Sequence, residues 1–229
     1  MDARAGLIIV VAACGATPCE RVLARGTLAY DAILDGDVVY GLELETQFAL
    51  VAHDATTGAV RATIALGGAS PDLTAMAISG RTAYVGGRDQ QVRAIDLDRA
   101  NVTTTWPIGA DVTALAADGV YVAIGDASGA VCLRRRSDGA LLQCLDDGTP
   151  VTALAIDHDT LEVDHARRYA LPSLAPAGDA PAHTTAPPQV RLGGPIRSVR
   201  ATPAGTVIAA WVHALDDPSI VLIPHACPR

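Results

Sequence analysis

The chain contains no lysine, and aromatic side chains make up only 3% of its 229 residues. All 17 basic residues are therefore arginines, and 25 acidic residues give a formal net charge of −8. Nucleic-acid-binding domains carry a basic surface stripe, which this charge balance argues against. Because aromatic residues are scarce, a sequence that is 50% hydrophobic must build its core from Val, Ile, Leu and Ala. We expect one globular domain with no nucleic-acid partner.

The sequence motifs of common enzymes and metal sites are also missing. There is no G-x-S-x-G, G-x-x-x-x-G-K-[ST] or G-x-G-x-x-G motif, and the histidines show no zinc-type spacing. One group of metal-type ligands occurs, but it divides between two turns that a propeller blade places on opposite faces. Its members are Asp157, His158 and Asp159 in one turn and Asp164 and His165 in the other. We predict no metal, no cofactor and no catalytic residue.

A short motif repeats along the chain. No long segment has the 3.6-residue periodicity of a helix, which excludes a helical solenoid. Thr-Ala-x-Ala begins at Thr74, Thr113 and Thr152, and the interval between one copy and the next is constant. A constant period of about 40 residues is typical of a repeat architecture. Within each repeat, short apolar runs separated by Asp-Gly or Ser-Gly turns predict a four-stranded antiparallel sheet, as in a β-propeller. An all-β sandwich is the alternative.

Five units follow one another, and the last two are irregular. Unit four is interrupted by residues 172–188, which we expect to form a mobile excursion rather than a strand because proline pairs poorly inside a sheet. Unit five has three strands, and residues 19–25 are the unassigned strand-like segment. We predict an all-β, five-bladed β-propeller in which residues 19–25 pair with 219–223 and complete the last blade, so that no sheet edge is left open. The predicted strands are 28–34, 37–42, 48–53 and 60–66; 73–78, 82–86, 92–97 and 103–108; 112–117, 120–125, 130–135 and 140–145; 151–156, 161–163, 168–171 and 189–192; and 196–202, 206–212 and 219–223.

Two motifs give a family resemblance. The turn Asp54-Ala55-Thr56-Thr57-Gly58-Ala59-Val60 resembles the Asp-Ala-x-Thr-Gly-x-Val turn of quinoprotein-like (PQQ-like) propeller repeats. Thr82-Ala83-Tyr84-Val85-Gly86-Gly87 resembles the Tyr-Val strands of related bacterial propellers. The resemblance covers most of residues 28–223 and implies propeller repeats. It implies no quinone site, because Trp106 and Trp211 do not recur in register as the blade-docking tryptophan of that family does.

The first 14 residues resemble a bacterial lipoprotein signal. Arg4 precedes an apolar run, and Val11-Ala12-Ala13-Cys14 resembles a lipobox, in which small residues precede a cysteine that becomes acylated. The run is too short to span a bilayer, which needs about 20 residues. Gly15, rather than aspartate, follows the cysteine and favours sorting to the outer membrane. An apolar N-terminal strand with an incidental cysteine is the alternative. We predict a signal peptide at residues 1–14 and a single β-propeller domain at residues 19–229.

The other four cysteines suggest two disulfides. Cys132 and Cys144 lie on the two strands of one hairpin, equidistant from Asp138 in its turn, and therefore face each other. Cys19 and Cys227 lie at the ends of the two strands that the predicted closure brings together. Such pairs indicate an oxidising compartment. The alternative is that all of them are small buried apolar residues of a cytosolic protein.

Polar loops at one edge of the units form a possible binding rim. Function often resides in loops that a rigid scaffold presents. On the inner strands, we expect Asp31 to pair with Arg197 or Arg200 rather than to form an acid–base dyad. We interpret Arg134-Arg135-Arg136 as a solvated edge that discourages strand addition. The rim residues are Glu43, Glu45, Gln47, Arg88, Asp89, Gln90, Asp126, Asp216 and Asp217.

These features favour a non-catalytic, lipid-anchored interaction module of the bacterial cell envelope. We expect it to reach the membrane through its lipid anchor, as an outer-membrane lipoprotein, and to bind a protein partner there. The alternative is a small propeller enzyme or ligand sensor that acts on a sugar or another small molecule in a central channel. Two or more facing carboxylates, or a bound metal, would favour that alternative.

Overall fold

The computed structural model of the chain consists of β-strands joined by turns and loops. It describes residues 10–11, 20–25, 28–44, 46–66, 73–146, 148–164, 166–179, 196–202, 205–212 and 217–224. No helix within these ranges is long and apolar enough to cross a membrane. The strands are β1 (Val10–Val11), β2 (Glu20–Arg25), β3 (Leu28–Asp35), β4 (Val38–Leu44), β5 (Phe48–Asp54), β6 (Val60–Ala65), β7 (Leu73–Ser79), β8 (Thr82–Gly87), β9 (Gln91–Asp96), β10 (Asn101–Pro107), β11 (Val112–Ala117), β12 (Tyr121–Asp126), β13 (Ala130–Arg135), β14 (Leu141–Asp146), β15 (Leu154–Asp157), β16 (Thr160–Val163), β17 (Arg167–Ala170), β18 (Ala175–Asp179), β19 (Ile196–Thr202), β20 (Gly205–Val212) and β21 (Asp217–Pro224).

In the described part of the chain these strands form five antiparallel sheets. Sheet one contains β3 to β6, sheet two β7 to β10, sheet three β11 to β14 and sheet four β15 to β18, with neighbours in chain order. Sheet five has the order β1-β2-β21-β20-β19 and so combines strands from both ends of the sequence. The strands predicted for the first three units are confirmed, with only small shifts at their ends.

The N-terminal strand pairs with the last unit, as predicted. In β2, Arg21 lies opposite Leu222 and Arg25 opposite Ser219. The short strand β1 pairs with the other edge of β2. Strand β1 lies inside the apolar run that we interpret as a signal sequence. The predicted lipidation residue Cys14 and the predicted disulfide partners Cys19 and Cys227 lie outside the described residues.

The fourth strand of unit four is not where the sequence predicted it. Strand β18, Ala175–Asp179, occupies this position inside the proline-rich segment and pairs with β17. The prediction that residues 172–188 contain no strand is therefore wrong for this stretch. The reason is that β18 is an edge strand, paired with β17 on one side only. Proline has no backbone N–H to donate, and an edge strand can accept Pro176 because it has no second neighbour that needs this hydrogen bond. The predicted strand at 189–192 lies outside the described residues.

The chain divides into two compact units, Met1–Ala69 with Pro187–Arg229, and Ser70–Ala186. The first compact unit holds sheets one and five, and in it β3 contacts β19 and β20. The second unit holds sheets two, three and four, and in it β7 contacts β11 and β11 contacts β15. In each unit, sheets therefore meet through their first strands, which is the arrangement that propeller repeats use.

The Thr-Ala-x-Ala repeat has a structural explanation in the second unit. The hydroxyl of Thr74 in β7 donates a hydrogen bond of 3.0 Å to the carbonyl of Val112 at the start of β11. Thr113 makes the same bond to the carbonyl of Val151, ahead of β15. Each of these threonines thus ties the first strand of its sheet to the next sheet. Thr152, the last of the series, donates instead to the carboxylate of Asp164 in its own sheet.

Glycines in the second strands let neighbouring sheets come close. A Cβ added at Gly86 would lie 2.8 Å from Cγ1 of Val112, and one added at Gly125 would lie 2.5 Å from Cγ1 of Val151. Both valines are fully buried. The two glycines are separated by the same interval as the repeated threonines, so each repeat leaves the same space for the valine of the following sheet. Small buried residues on the first strands complete this packing, namely Ala75, Ala77, Ala114 and Ala116.

We predict that Gly125→Ala lowers the free energy of unfolding by about 1–3 kcal/mol, because the added methyl group overpacks the junction with Val151. Urea titration monitored by circular dichroism measures the change. Gly119→Ala is the matched control, since a Cβ there meets nothing within 4 Å and should change stability by no more than about 0.5 kcal/mol. Equal unfolding midpoints for the two variants would contradict the proposed role of Gly125.

Candidate functional site

Several acids of the predicted rim form hydrogen bonds or ion pairs with other residues of this chain. Glu43 is 5% exposed, and its carboxylate lies 2.5 Å from Nε2 of His53, which is also buried. Asp126 is 6% exposed and accepts hydrogen bonds from the backbone N–H and hydroxyl of Ser128 and from the N–H of Ala130. Asp89 lies 2.5 Å from the guanidinium of Arg93. Glu43 and Asp126 therefore do not stand on an exposed rim, contrary to expectation.

The remaining rim residues differ in exposure. Gln47, Arg88 and Gln90 are exposed, whereas Glu45 and Asp216 lie outside the described residues. Asp217 begins β21, and its side chain also lies outside the description. The rim as a binding surface thus stays a prediction.

The group of metal-type ligands in sheet four is dispersed. Asp157 pairs with His158 at 2.6 Å in an exposed turn. Asp164 instead accepts hydrogen bonds from the N–H groups of Thr152 and Ala153, at 2.7 and 2.9 Å. Burial raises the pKa of Asp164, but the hydrogen bonds from Thr152 and Ala153 outweigh it and lower the pKa overall. Among the described side chains, no group of three His, Cys, Asp or Glu residues could hold a metal ion. His165 lies outside the described residues.

The inner-strand acid Asp31 is buried and accepts a hydrogen bond of 2.9 Å from the N–H of Ala32. The arginines with which we expect it to pair, Arg197 and Arg200, belong to β19, whose side chains are not described. This ion pair therefore stays a prediction.

A groove of about 550 Å³ lies between sheets two and three of the second compact unit. We call it the Trp106 groove. Sheet two contributes side chains from β8, β9 and the edge strand β10, while sheet three contributes two of its turns. The lining residues are Thr82, Tyr84, Ala94, Thr103, Thr104 and Trp106 from sheet two, and Gly119, Arg136, Ser137, Asp138 and Gly139 from sheet three.

Stacked aromatic rings form one wall of the Trp106 groove. The rings of Trp106 and Tyr84 lie 5.7 Å apart with an interplanar angle of 24°. They approach each other because Ala94, opposite Tyr84 in the intervening strand, is small. Strand β10 has an irregular register between Val102 and Thr104. Such a bulge lets two consecutive side chains, those of Thr103 and Thr104, both line the groove.

Arg136 forms part of the opposite wall. Its guanidinium donates a hydrogen bond of 2.8 Å to the carbonyl of Ser79, and it also bonds the hydroxyl of Tyr84. Burial raises the pKa of the Tyr84 hydroxyl, and the Arg136 cation opposes this rise without cancelling it. Arg136 is half-buried, so the interpretation of the arginine run as a fully solvated edge is wrong at this position.

Arg134 supports the aromatic wall. Its guanidinium carbon lies 5.3 Å from the centroid of the Trp106 ring, within the range of a cation–π interaction. One of its terminal N–H groups donates to the carbonyl of Gly139 at 2.9 Å. Burial lowers the pKa of the Arg134 guanidinium. Its Nε is buried without a hydrogen-bond partner in the described structure.

The hairpin that carries these arginines is cross-linked. Cys132 in β13 and Cys144 in β14 lie opposite each other in register and form a disulfide, as predicted. The turn of this hairpin ends at Gly139, which has a φ of +70°. A Cβ at Gly139 would lie 2.6 Å from the indole nitrogen of Trp106. The turn therefore needs glycine both for its backbone conformation and for its contact with the groove.

The sequence did not single out the Trp106 groove. Its walls join side chains from two sheets whose contact depends on tertiary packing. The available signal was the combination of Trp106 with Arg134 and Arg136 in consecutive units, since aromatic and guanidinium groups often pack together.

No protein-family model matches the chain, and no curated protein matches it. Among solved structures, the RRP9 WD40 repeats align over 95% of this chain and 86% of theirs, with 13% identity and a TM-score of 0.66. The Neurospora crassa Pan2 WD40 domain aligns over 87% of this chain and 76% of its own, with 13% identity and a TM-score of 0.59. The computationally designed Ika4 protein aligns over 62% of this chain and 85% of its own, with 19% identity and a TM-score of 0.52. At these identities the likeness shows the fold alone, a β-propeller-like repeat fold.

We predict that Gly139→Ala disturbs the Trp106 groove more than Gly109→Ala does. Both glycines have positive φ, +70° and +87°, so alanine costs about 1–2 kcal/mol at either position. Only Gly139→Ala adds a collision with Trp106, worth about 1–3 kcal/mol more. Urea titration and the native tryptophan emission spectrum measure the two effects. Equal losses of stability with unchanged emission would refute the contact.

Proposed function

We propose that the chain is a non-catalytic interaction module of the bacterial cell envelope, which binds a protein partner through the Trp106 groove. The observation that carries this proposal is the groove itself, an open cleft of about 550 Å³ lined by an aromatic wall, threonines and an arginine. Sites that bury an aromatic surface beside a few directional polar groups are typical of recognition.

The proposed occupant is an extended segment of the partner protein. Strand β10 lies at the edge of sheet two, directly beside the groove, and Thr103, Thr104 and Thr105 on it are exposed. An extended peptide that lies along an edge strand gains main-chain hydrogen bonds, while alternate side chains enter neighbouring pockets. The bulge at Thr103 limits how long such pairing runs, which suits a short segment better than a whole strand.

We further propose that Cys14 is acylated and holds the protein at the outer membrane. The support is the lipobox-like sequence ending at Cys14 together with the disulfide between Cys132 and Cys144, since disulfides persist in oxidising compartments. A single acyl chain binds membranes only marginally, so stable anchoring requires the multiple chains of a lipoprotein.

The fold proposal is a closed, five-bladed ring of the quinoprotein-like type. Its support is the pairing of β2 with β21, which joins the two ends of the sequence in one sheet, and the turn at Asp54. Non-reducing peptide mapping tests the closure, and we expect Cys19 joined to Cys227 as well as Cys132 joined to Cys144. Free thiols at both Cys19 and Cys227 would oppose the closure, with the Cys132–Cys144 peptide as the internal control.

The functional proposal is tested with the full chain, expressed with its own N-terminus in a Gram-negative bacterium. Cys14→Ser should move the protein from the membrane to the soluble fraction, because serine provides no thiol for acylation. Cross-linking of the wild type followed by detergent extraction should give a stoichiometric partner. Thr104→Tyr should lose this partner, since the larger side chain fills the groove.

Thr105→Tyr is the matched control, because Thr105 is the next exposed residue of β10 and does not line the groove. It should keep the partner. Membrane association that survives Cys14→Ser would exclude the lipid anchor. Capture of the same partner by Thr104→Tyr would exclude the Trp106 groove as its binding site.

A further inference from the structure

Six of the ten arginines whose side chains the structure describes lie against an aspartate. A guanidinium taken out of water loses hydration, and a carboxylate beside it compensates for that loss. The pairs among the described side chains are Arg61 with Asp37 and Asp54, Arg81 with Asp98, Arg93 with Asp89, Arg99 with Asp96, Arg135 with Asp138, and Arg167 with Asp164.

Arg134 and Arg136, at the Trp106 groove, depart from this pattern. Both are half-buried, yet neither meets a carboxylate within the described structure. Arg134 bonds the carbonyl of Gly139 and faces the Trp106 ring, while Arg136 bonds the carbonyl of Ser79 and the Tyr84 hydroxyl. All of these partners are neutral, so two positive charges beside the groove are not balanced.

Two acids near the arginines hydrogen-bond other groups, Asp118 on an adjoining turn and Asp138 in the groove lining itself. The carboxylate of Asp118 accepts hydrogen bonds from the N–H groups of Val120 and Tyr121, at 2.7 and 2.6 Å. Asp138 accepts from the N–H of Ala140 and from the exposed guanidinium of Arg135. Each carboxylate is thus occupied with its own turn. Because Asp138 is paired with Arg135, the hairpin turn keeps the positive charges of Arg134 and Arg136, on a chain whose net charge is −8.

We infer that the Trp106 groove anchors the carboxylate of an aspartate or glutamate side chain in an extended segment of the partner protein. Arg136 is the anchoring cation, because it lines the groove, while Arg134 adds positive potential from behind Trp106. This inference rests on the proposed function, since it specifies the chemistry of the segment that the groove receives.

The geometry suits a carboxylate. A guanidinium has five N–H donors in one plane, and Arg136 uses only part of this set on Ser79 and Tyr84. Arginine and carboxylate form short, charge-assisted hydrogen bonds that are about twice as strong as neutral ones. The hydroxyl of Thr104 adds a donor from the opposite wall of the groove. A lysine side chain in the groove would instead be repelled by both arginines.

The test uses pools of dodecapeptides that are random except for one central position, fixed in turn as Asp, Glu, Asn, Gln or Lys. Binding of each pool to the full chain is measured with the wild type, Arg136→Gln and Arg99→Gln. We expect the wild type to retain the Asp and Glu pools about tenfold more than the Asn and Gln pools, as one charge-assisted hydrogen bond permits. Arg136→Gln should abolish this preference.

Arg99→Gln is the matched control, because it removes the same charge from an exposed position of the same compact unit, where neither Arg99 nor its partner Asp96 lines the groove. It should keep the preference for Asp and Glu. Because Arg136 also holds the carbonyl of Ser79, Arg136→Lys and the salt dependence of the wild type provide second measurements. Arg136→Lys keeps the charge and should retain part of the preference, and raising the salt concentration should weaken only the Asp and Glu pools markedly.

Each other outcome overturns a defined part of the proposal. Equal retention of the Glu and Gln pools, or equal loss of preference in Arg99→Gln and Arg136→Gln, refutes the acidic anchor but leaves the groove as a docking site. Failure of every pool to bind, or binding that Thr104→Tyr does not reduce, removes the groove as a docking site and the proposed function with it.

Discussion

The second compact unit, Ser70–Ala186, depends on one kind of junction between consecutive sheets, which occurs twice. The hydroxyl of a threonine in a first strand bonds the carbonyl at the start of the next sheet, and a glycine in the second strand admits the valine that carries this carbonyl. The hydrogen bond provides direction, and the buried valine provides apolar contact. Because both features recur at the interval of the sequence repeat, the sheets stack in the same way twice in succession.

The Trp106 groove is a consequence of that stacking. Trp106 and Tyr84 belong to sheet two, whereas Arg134 and Arg136 belong to sheet three, and only the junction brings the two sets together. The turn of the arginine hairpin is fixed on one side by the disulfide and on the other by the contact of Gly139 with Trp106. The groove walls are therefore held by packing rather than by the loops alone, which suits a preformed binding site.

Local sequence patterns predicted the strands of the first three units well, because alternating turns and short apolar runs determine a hairpin without reference to the rest of the chain. The disulfide between Cys132 and Cys144 followed from the same local geometry. Strand β18 was missed, since the rule that proline interrupts strands does not hold at a sheet edge. The burial of Glu43 and the arrangement of Arg134 and Arg136 were also missed. They depend on contacts between individual side chains whose positions the repeat period of the sequence does not predict.

The charged residues of this chain include many aspartates that stabilise the fold and two arginines, Arg134 and Arg136, that lie at the Trp106 groove. Many aspartates close tight turns by accepting backbone N–H bonds, and such bonds hold the pKa of Asp96 and Asp138 below its usual range. Asp54, Asp118, Asp126 and Asp146 also accept backbone N–H bonds within their turns. Much of the acidity of the chain is thus accounted for by turn structure and by ion pairs with arginine. Arg134 and Arg136 are half-buried and have no carboxylate partner in the described structure, and they lie beside an open aromatic groove. Because unbalanced half-buried charge costs stability, a carboxylate from a partner provides the compensation that the chain does not supply itself.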